Sequence, residues 1–154
     1  VGGFCFAGRG EGSGVALIVA VVDGQGGGIG SAIIQILRRR LGPDIEVWAL
    51  GTNAVATAQM MRSGANKGAT GEQAIIEGVG RAQVILGPIS IVLACSFMGE
   101  VTPAMAAAVA GCPARKLLLP LTQEDVEVVG VQKQPLPHHV EALMDKLTEV
   151  QTNV

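Results

Sequence analysis

Between a buried-looking apolar run and a helical stripe the chain reads Asp23-Gly24-Gln25-Gly26-Gly27-Gly28-Ile29-Gly30, with five glycines in the seven positions from 24 to 30. Bare glycines let a phosphate come close to main-chain N–H groups, and a helix starting there adds unpaired N–H groups and the positive end of its dipole. The strand-loop-helix setting is what gives such a glycine pattern weight. No Lys-Ser or Lys-Thr pair follows, so this is not a Walker loop. The chemistry expected is binding of a small phosphorylated ligand, a nucleotide or an NAD(P)-like dinucleotide. The alternative is a glycine turn that only lets a helix pack closely on a strand.

In an open parallel sheet, ligands lie beyond the carboxyl ends of the strands where the strand order reverses. That geometry would gather the glycine loop, Thr52 and Asn53 after a second strand, and Gly87, Pro88 and Ser90 after a fourth, with residues 66–72 as a possible wall. Asp23 beside a phosphate would need a cation such as Mg²⁺, or else it accepts N–H bonds from its own turn. Three side chains are weak catalytic candidates. Lys67 can pair with a phosphate or be an ordinary solvated lysine; Glu72 can act as acid or base or simply favour a helix start; Glu100 can supply charge or sit in a solvated turn. Cys95 reads as a small buried residue rather than a nucleophile, and His138 and His139 as surface residues. No Cys or His spacing suggests a metal site.

The elements that must position these residues alternate as βαβ units do. Residues 15–22 are apolar on both faces, as a central parallel strand is. A helix over 28–41 carries Ile29, Ile33, Ile34, Leu37 and Leu41 on one face and stops at Gly42 and Pro43. Arg38, Arg39 and Arg40 lie in its last turn, where positive charge suits the dipole. A strand over 45–51 follows, and Asn53 caps an Ala- and Met-rich helix that ends before Gly64. A third strand is weakly marked near Ala65. Thr70 and Gln73 fit a capping box opening the next helix. A strand is expected over 83–87, a helix over 89–98, and a helix restarted by Thr102 and Pro103. Strands are expected over 116–121 and 126–131, and an amphipathic helix over 137–150.

At 154 residues, with 49% hydrophobic and 16% charged residues, one core is expected, and so few charges point to a homo-oligomer. The expected organisation is a flexible extension over 1–14, rich in glycine, and a single domain over 15–150. A formal net charge of −2 without a long basic stretch argues against nucleic acid. Three cysteines without paired spacing suit a reducing, cytoplasmic compartment. The uncharged run 82–99 is broken by Gly87, Pro88, Ser90 and Ser96, which argues against a membrane span. The fold class that follows is α/β, a Rossmann-like three-layer sandwich with a mostly parallel sheet.

The spacing of Gly24, Gly28, Ile29 and Gly30 is similar to the Thr-Gly-x-x-x-Gly-Ile-Gly loop of short-chain dehydrogenases, with Asp23 in place of the threonine. The chain departs from that family elsewhere. Gly51, Thr52 and Asn53 stand where a carboxylate holds the adenosine ribose, and with no Tyr there is no Tyr-x-x-x-Lys proton donor. Across residues 19–131 the chain resembles an uncharacterised bacterial family, a domain of unknown function. The likeness rests on DGQGGGIG (23–30), ALGTNA (49–54), GANKGATGE (64–72), GPI (87–89) and GEVTP (99–103), with Gln73 where an Asn is expected. It implies a stand-alone Rossmann-like domain and supplies no activity. Three functions remain open: a phosphate-binding module, a small enzyme using the same crevice, and a structural subunit without ligand.

Overall fold

The computed structural model describes residues 17–122 and 124–152. The extension expected over 1–14, and Cys5 within it, lie outside the described residues. Five strands, β1 (Ile18–Asp23), β2 (Glu46–Gly51), β3 (Lys67–Thr70), β4 (Val84–Pro88) and β5 (Arg115–Leu119), form one sheet in the order β3-β2-β1-β4-β5. Every pairing is parallel. Helices α1 (Gly28–Leu41), α2 (Ala54–Arg62), α3 (Glu72–Arg81), α4 (Pro103–Gly111) and α5 (Leu136–Thr152) fill the crossovers and close the chain.

Side chains alternate across β1. Val19 and Val21 join a core with Ile33, Ile34 and Leu37 of α1, Met60 of α2 and Val140, Met144 and Leu147 of α5. Ala20 and Val22 face the other core, built with Ile75 and Val79 of α3 and Met105 and Val109 of α4. Helices therefore cover both faces, which makes the architecture a Rossmann-like three-layer sandwich and explains why the central strand is apolar from Ile18 to Val22.

Asn53 and Thr102 cap their helices as expected, accepting from the Ala56 and Met105 amides. The expected capping box at Thr70 does not form. Gly71 occupies the cap position, because the Thr70 hydroxyl is engaged with that of Thr57 at 2.7 Å. The third strand expected near Ala65 runs over 67–70, and it is exposed along its length as a sheet edge. Residues 89–98 are not a helix: a single 3-10 turn, Ile89–Val92, gives way to irregular turns in which Cys95, Phe97 and Met98 have positive φ. Residues 126–131 are not a strand either. Their valines have strand-like spacing, but among the described residues no neighbouring strand pairs with them, and Val129 is 94% exposed.

The Arg38–Arg40 run does more than complement a dipole. Arg38 donates to the carbonyls of Gly42, Ile45 and Gly64 and to Asn66 Oδ1, tying α1 to the chain around β2 and β3. Arg40 pairs with Glu141 and Asp145 of α5, each at 2.9 Å. No helix among the described residues is long and apolar enough to cross a membrane.

Because α5 contributes fully buried side chains whereas its ion pairs are solvent-exposed, packing should dominate its attachment. Leu147→Ala is expected to cost about 2–5 kcal/mol in denaturant unfolding, and Arg40→Ala less than about 1 kcal/mol. Equal losses would contradict that ordering.

Candidate functional site

The strand order reverses beside β1, which has β2 on one side and β4 on the other. The glycine loop leaves the carboxyl end of β1, Thr52 and Asn53 leave that of β2, and Gly87 and Pro88 end β4. Direct bonds join the first two groups: Thr52 N–H donates to the Asp23 carbonyl at 3.0 Å, and Asn53 Nδ2 donates to the Gln25 carbonyl at 2.9 Å. Gly87 packs against the main chain of β1, since a Cβ there would stand 2.4 Å from the Val22 carbonyl oxygen.

The five loop glycines divide into two kinds. A Cβ on Gly24 would meet Phe97 and Thr52, one on Gly27 the backbone of Ala56, and one on Gly30 the side chain of Met60, all within 3 Å. Gly27 also has φ +72, a left-handed conformation that penalises other residues. These three let the loop pack. Gly26 and Gly28 are exposed, and a Cβ on either would have no atom within 4 Å. Gly28 is the first residue of α1, whose opening turn holds no acidic residue and whose cap, Gly27, provides no side-chain acceptor.

Asp23 is 2% exposed and clasps the loop from beneath. Its Oδ1 accepts the Gly24 N–H at 2.8 Å and its Oδ2 the Gly30 N–H at 2.7 Å. Burial pushes its pKa up, the Gly30 and Gly24 amides pull it back, and the Glu100 charge raises it further, leaving it above the ordinary 3.8. Of the two roles weighed for Asp23, turn acceptor and Mg²⁺ holder, the geometry displays the first, with both oxygens engaged by the chain itself.

Glu100 is brought into the site by residues 93–101, and it is not a free carboxylate in a solvated turn. Its Oε1 accepts the Gln25 N–H at 2.9 Å, the Thr52 hydroxyl at 2.8 Å and the Asn53 amide at 2.8 Å, while Oε2 has a longer contact to Asn53 at 3.3 Å. Partial burial raises its pKa, but the donors from Gln25, Asn53 and Thr52 outweigh it, so Glu100 lies below the ordinary carboxylate range. The supporting segment is tightly wound. Cys95 N–H donates to the Val101 carbonyl at 2.7 Å, Phe97 N–H to Glu124 Oε1 at 3.0 Å, and the Phe97 ring lies against Gly24.

The other candidates have surroundings of their own. Lys67 starts β3 in register with Trp48, toward the opposite end of the strand from the crevice. Its Nζ is 3.1 Å from Glu46 and 5.7 Å from the centre of the Trp48 ring. Glu72, in the first turn of α3, accepts the Thr102 hydroxyl and so links α3 to the start of α4. Cys95 is exposed rather than buried, because its positive φ belongs to a surface turn. His138 is exposed, but His139 is buried at 8% exposure, since α5 turns it inward beside Val140. Among the described residues no three His, Cys, Asp or Glu side chains are grouped to hold a metal ion. Sequence reasoning missed the convergence of Glu100 on Thr52 and Asn53; its one available signal was a lone carboxylate ending a long uncharged run.

Removing the Asp23 carboxylate leaves two loop amides without acceptors, so Asp23→Ala is expected to cost about 1–3 kcal/mol for each. Because the folded pKa of Asp23 is raised, the native state holds this proton more tightly than the unfolded chain. Its contribution to stability is present below pH 3.8 and is lost as pH rises through the folded value. Stability measured against pH should therefore show Asp23→Asn gaining on the wild type as pH rises through that window; a constant difference would contradict the assignment.

A search among curated proteins finds no match. A family model, Domain of unknown function (DUF3842), matches residues 18–152. A five-stranded parallel sheet with its glycine loop at the strand-order reversal is thus the framework of that family in this chain, which belongs to DUF3842.

Proposed function

We propose that this domain is a binding module for a nucleotide or dinucleotide, with the ligand's phosphate seated on the amides at the start of α1. One observation carries the proposal: Gly26 and Gly28 are exposed and unobstructed at a helix start whose cap residue, Gly27, offers no side-chain acceptor. A glycine turn built only for packing accounts for Gly24, Gly27 and Gly30, but not for these two. Helix N–H groups and the dipole favour an anion at such a place. The seat is narrower than a cradle of all the loop amides, since Asp23 and Glu100 already engage those of Gly24, Gln25 and Gly30. The enzyme reading draws less support, because Lys67, Glu72 and Glu100 are each engaged by other residues of the chain, and Lys67 starts β3 at the end away from the crevice.

Gly28→Asp provides the test. The open space admits the side chain, and a carboxylate in the first turn of α1 favours the helix while repelling phosphate. Calorimetric titration with a nucleotide panel should show saturable binding to the wild type and at least about tenfold weaker binding to the variant, at unchanged or raised thermal stability. Absence of binding to any nucleotide, or equal binding by the variant, overturns the proposal.

A further inference from the structure

The end of β2 lacks the carboxylate that holds ribose hydroxyls in many dinucleotide-binding domains, for Gly51, Thr52 and Asn53 occupy that stretch. The structure places a carboxylate there from another part of the chain. Glu100, on the segment that follows β4, reaches across to the ends of both β1 and β2. We propose that Glu100 is the sugar-hydroxyl acceptor of the crevice, so that the ligand it selects carries a ribose with a free 2′,3′-diol and no 2′-phosphate. This rests on the phosphate seat proposed above.

Three features support the assignment. First, Glu100 is oriented: Oε1 is saturated by three donors from two different strand ends, and this fixes the carboxylate plane. Second, Oε2 retains acceptor capacity, its contact being one amide at 3.3 Å. Third, the spacing suits a nucleotide. Gln25, whose N–H meets Glu100, adjoins Gly26 and lies three residues from Gly28. With about 3.8 Å between successive Cα atoms, Gly26 lies within about 4 Å of Gln25 and Gly28 within about 11 Å of it, a span that includes the reach of a sugar from its 5′-phosphate. A hydroxyl pair donates to such an acceptor, whereas a 2′-phosphate would meet a fixed negative charge.

The segment bearing Glu100 is built to hold it there. Cys95, Phe97 and Met98 adopt left-handed φ values of 70°, 57° and 56°, unfavourable for residues with side chains. The strained turn is retained together with bonds from Cys95 to Val101 and from Phe97 to Glu124, and it ends by presenting Glu100.

The experiment titrates wild type, Glu100→Gln and Glu100→Asp with four probes: pyrophosphate, adenosine 5′-monophosphate, its 2′-deoxy analogue and adenosine 2′,5′-bisphosphate. The wild type is expected to bind the ribonucleotide about tenfold tighter than the deoxy form, and the bisphosphate more weakly than either. Glu100→Gln should bring the first ratio to within about twofold and relieve the rejection of the bisphosphate. Glu100→Asp, which withdraws the carboxylate without removing it, should also lose the diol preference. Binding of pyrophosphate without any ribose discrimination by the wild type overturns the Glu100 role and leaves the phosphate seat standing. Tighter binding of all four probes by Glu100→Gln also overturns that role, for Glu100 would then be an occupant of the seat. If neither pyrophosphate nor any nucleotide binds the wild type, both proposals fall.

Discussion

The glycine loop keeps its shape because one carboxylate spans it. Asp23 ends the central strand of the sheet and accepts from Gly24 at the start of the loop and Gly30 inside the first turn of α1. A buried charge is tolerated only when it is well bonded, and here the bonds are to amides that the strand-to-helix turn would otherwise leave unpaired. The outward placement of Gly26 and Gly28 follows from that clasp. So does the close seating of Gly24 and Gly30 against Phe97 and Met60.

Around this clasp the fold gathers a polar junction. Glu100, Thr52, Asn53 and the Gln25 main chain bond to one another where β1, β2 and the segment after β4 meet. The charge of Glu100 raises the pKa of Asp23, and both carboxylates are held by N–H and O–H donors. The amides at Gly26 and Gly28 lie just beyond this arrangement.

Much of this was legible in the residue order because it depends on local rules. The wholly apolar run ending at Asp23, the helical spacing of Ile33, Ile34 and Leu37, and the caps at Asn53 and Thr102 each report a neighbourhood of a few residues. What was not legible depends on contacts between distant positions. Thr70 looked like a cap but is drawn to Thr57 across the β3–α2 packing, and residues 126–131 had the spacing of a strand without a neighbour to pair with. Glu100 meets its partners 47, 48 and 75 positions away, a relation that local periodicity does not carry.

The central claim concerns two particular amides, and solution NMR of the amide-labelled chain titrated with pyrophosphate observes them directly. The account predicts saturable shifts of the Gly26 and Gly28 N–H resonances, with those of Gly24 and Gly30, already bonded to Asp23, moving little. Saturation centred elsewhere on the sheet, or no saturable change at Gly26 and Gly28, would contradict it.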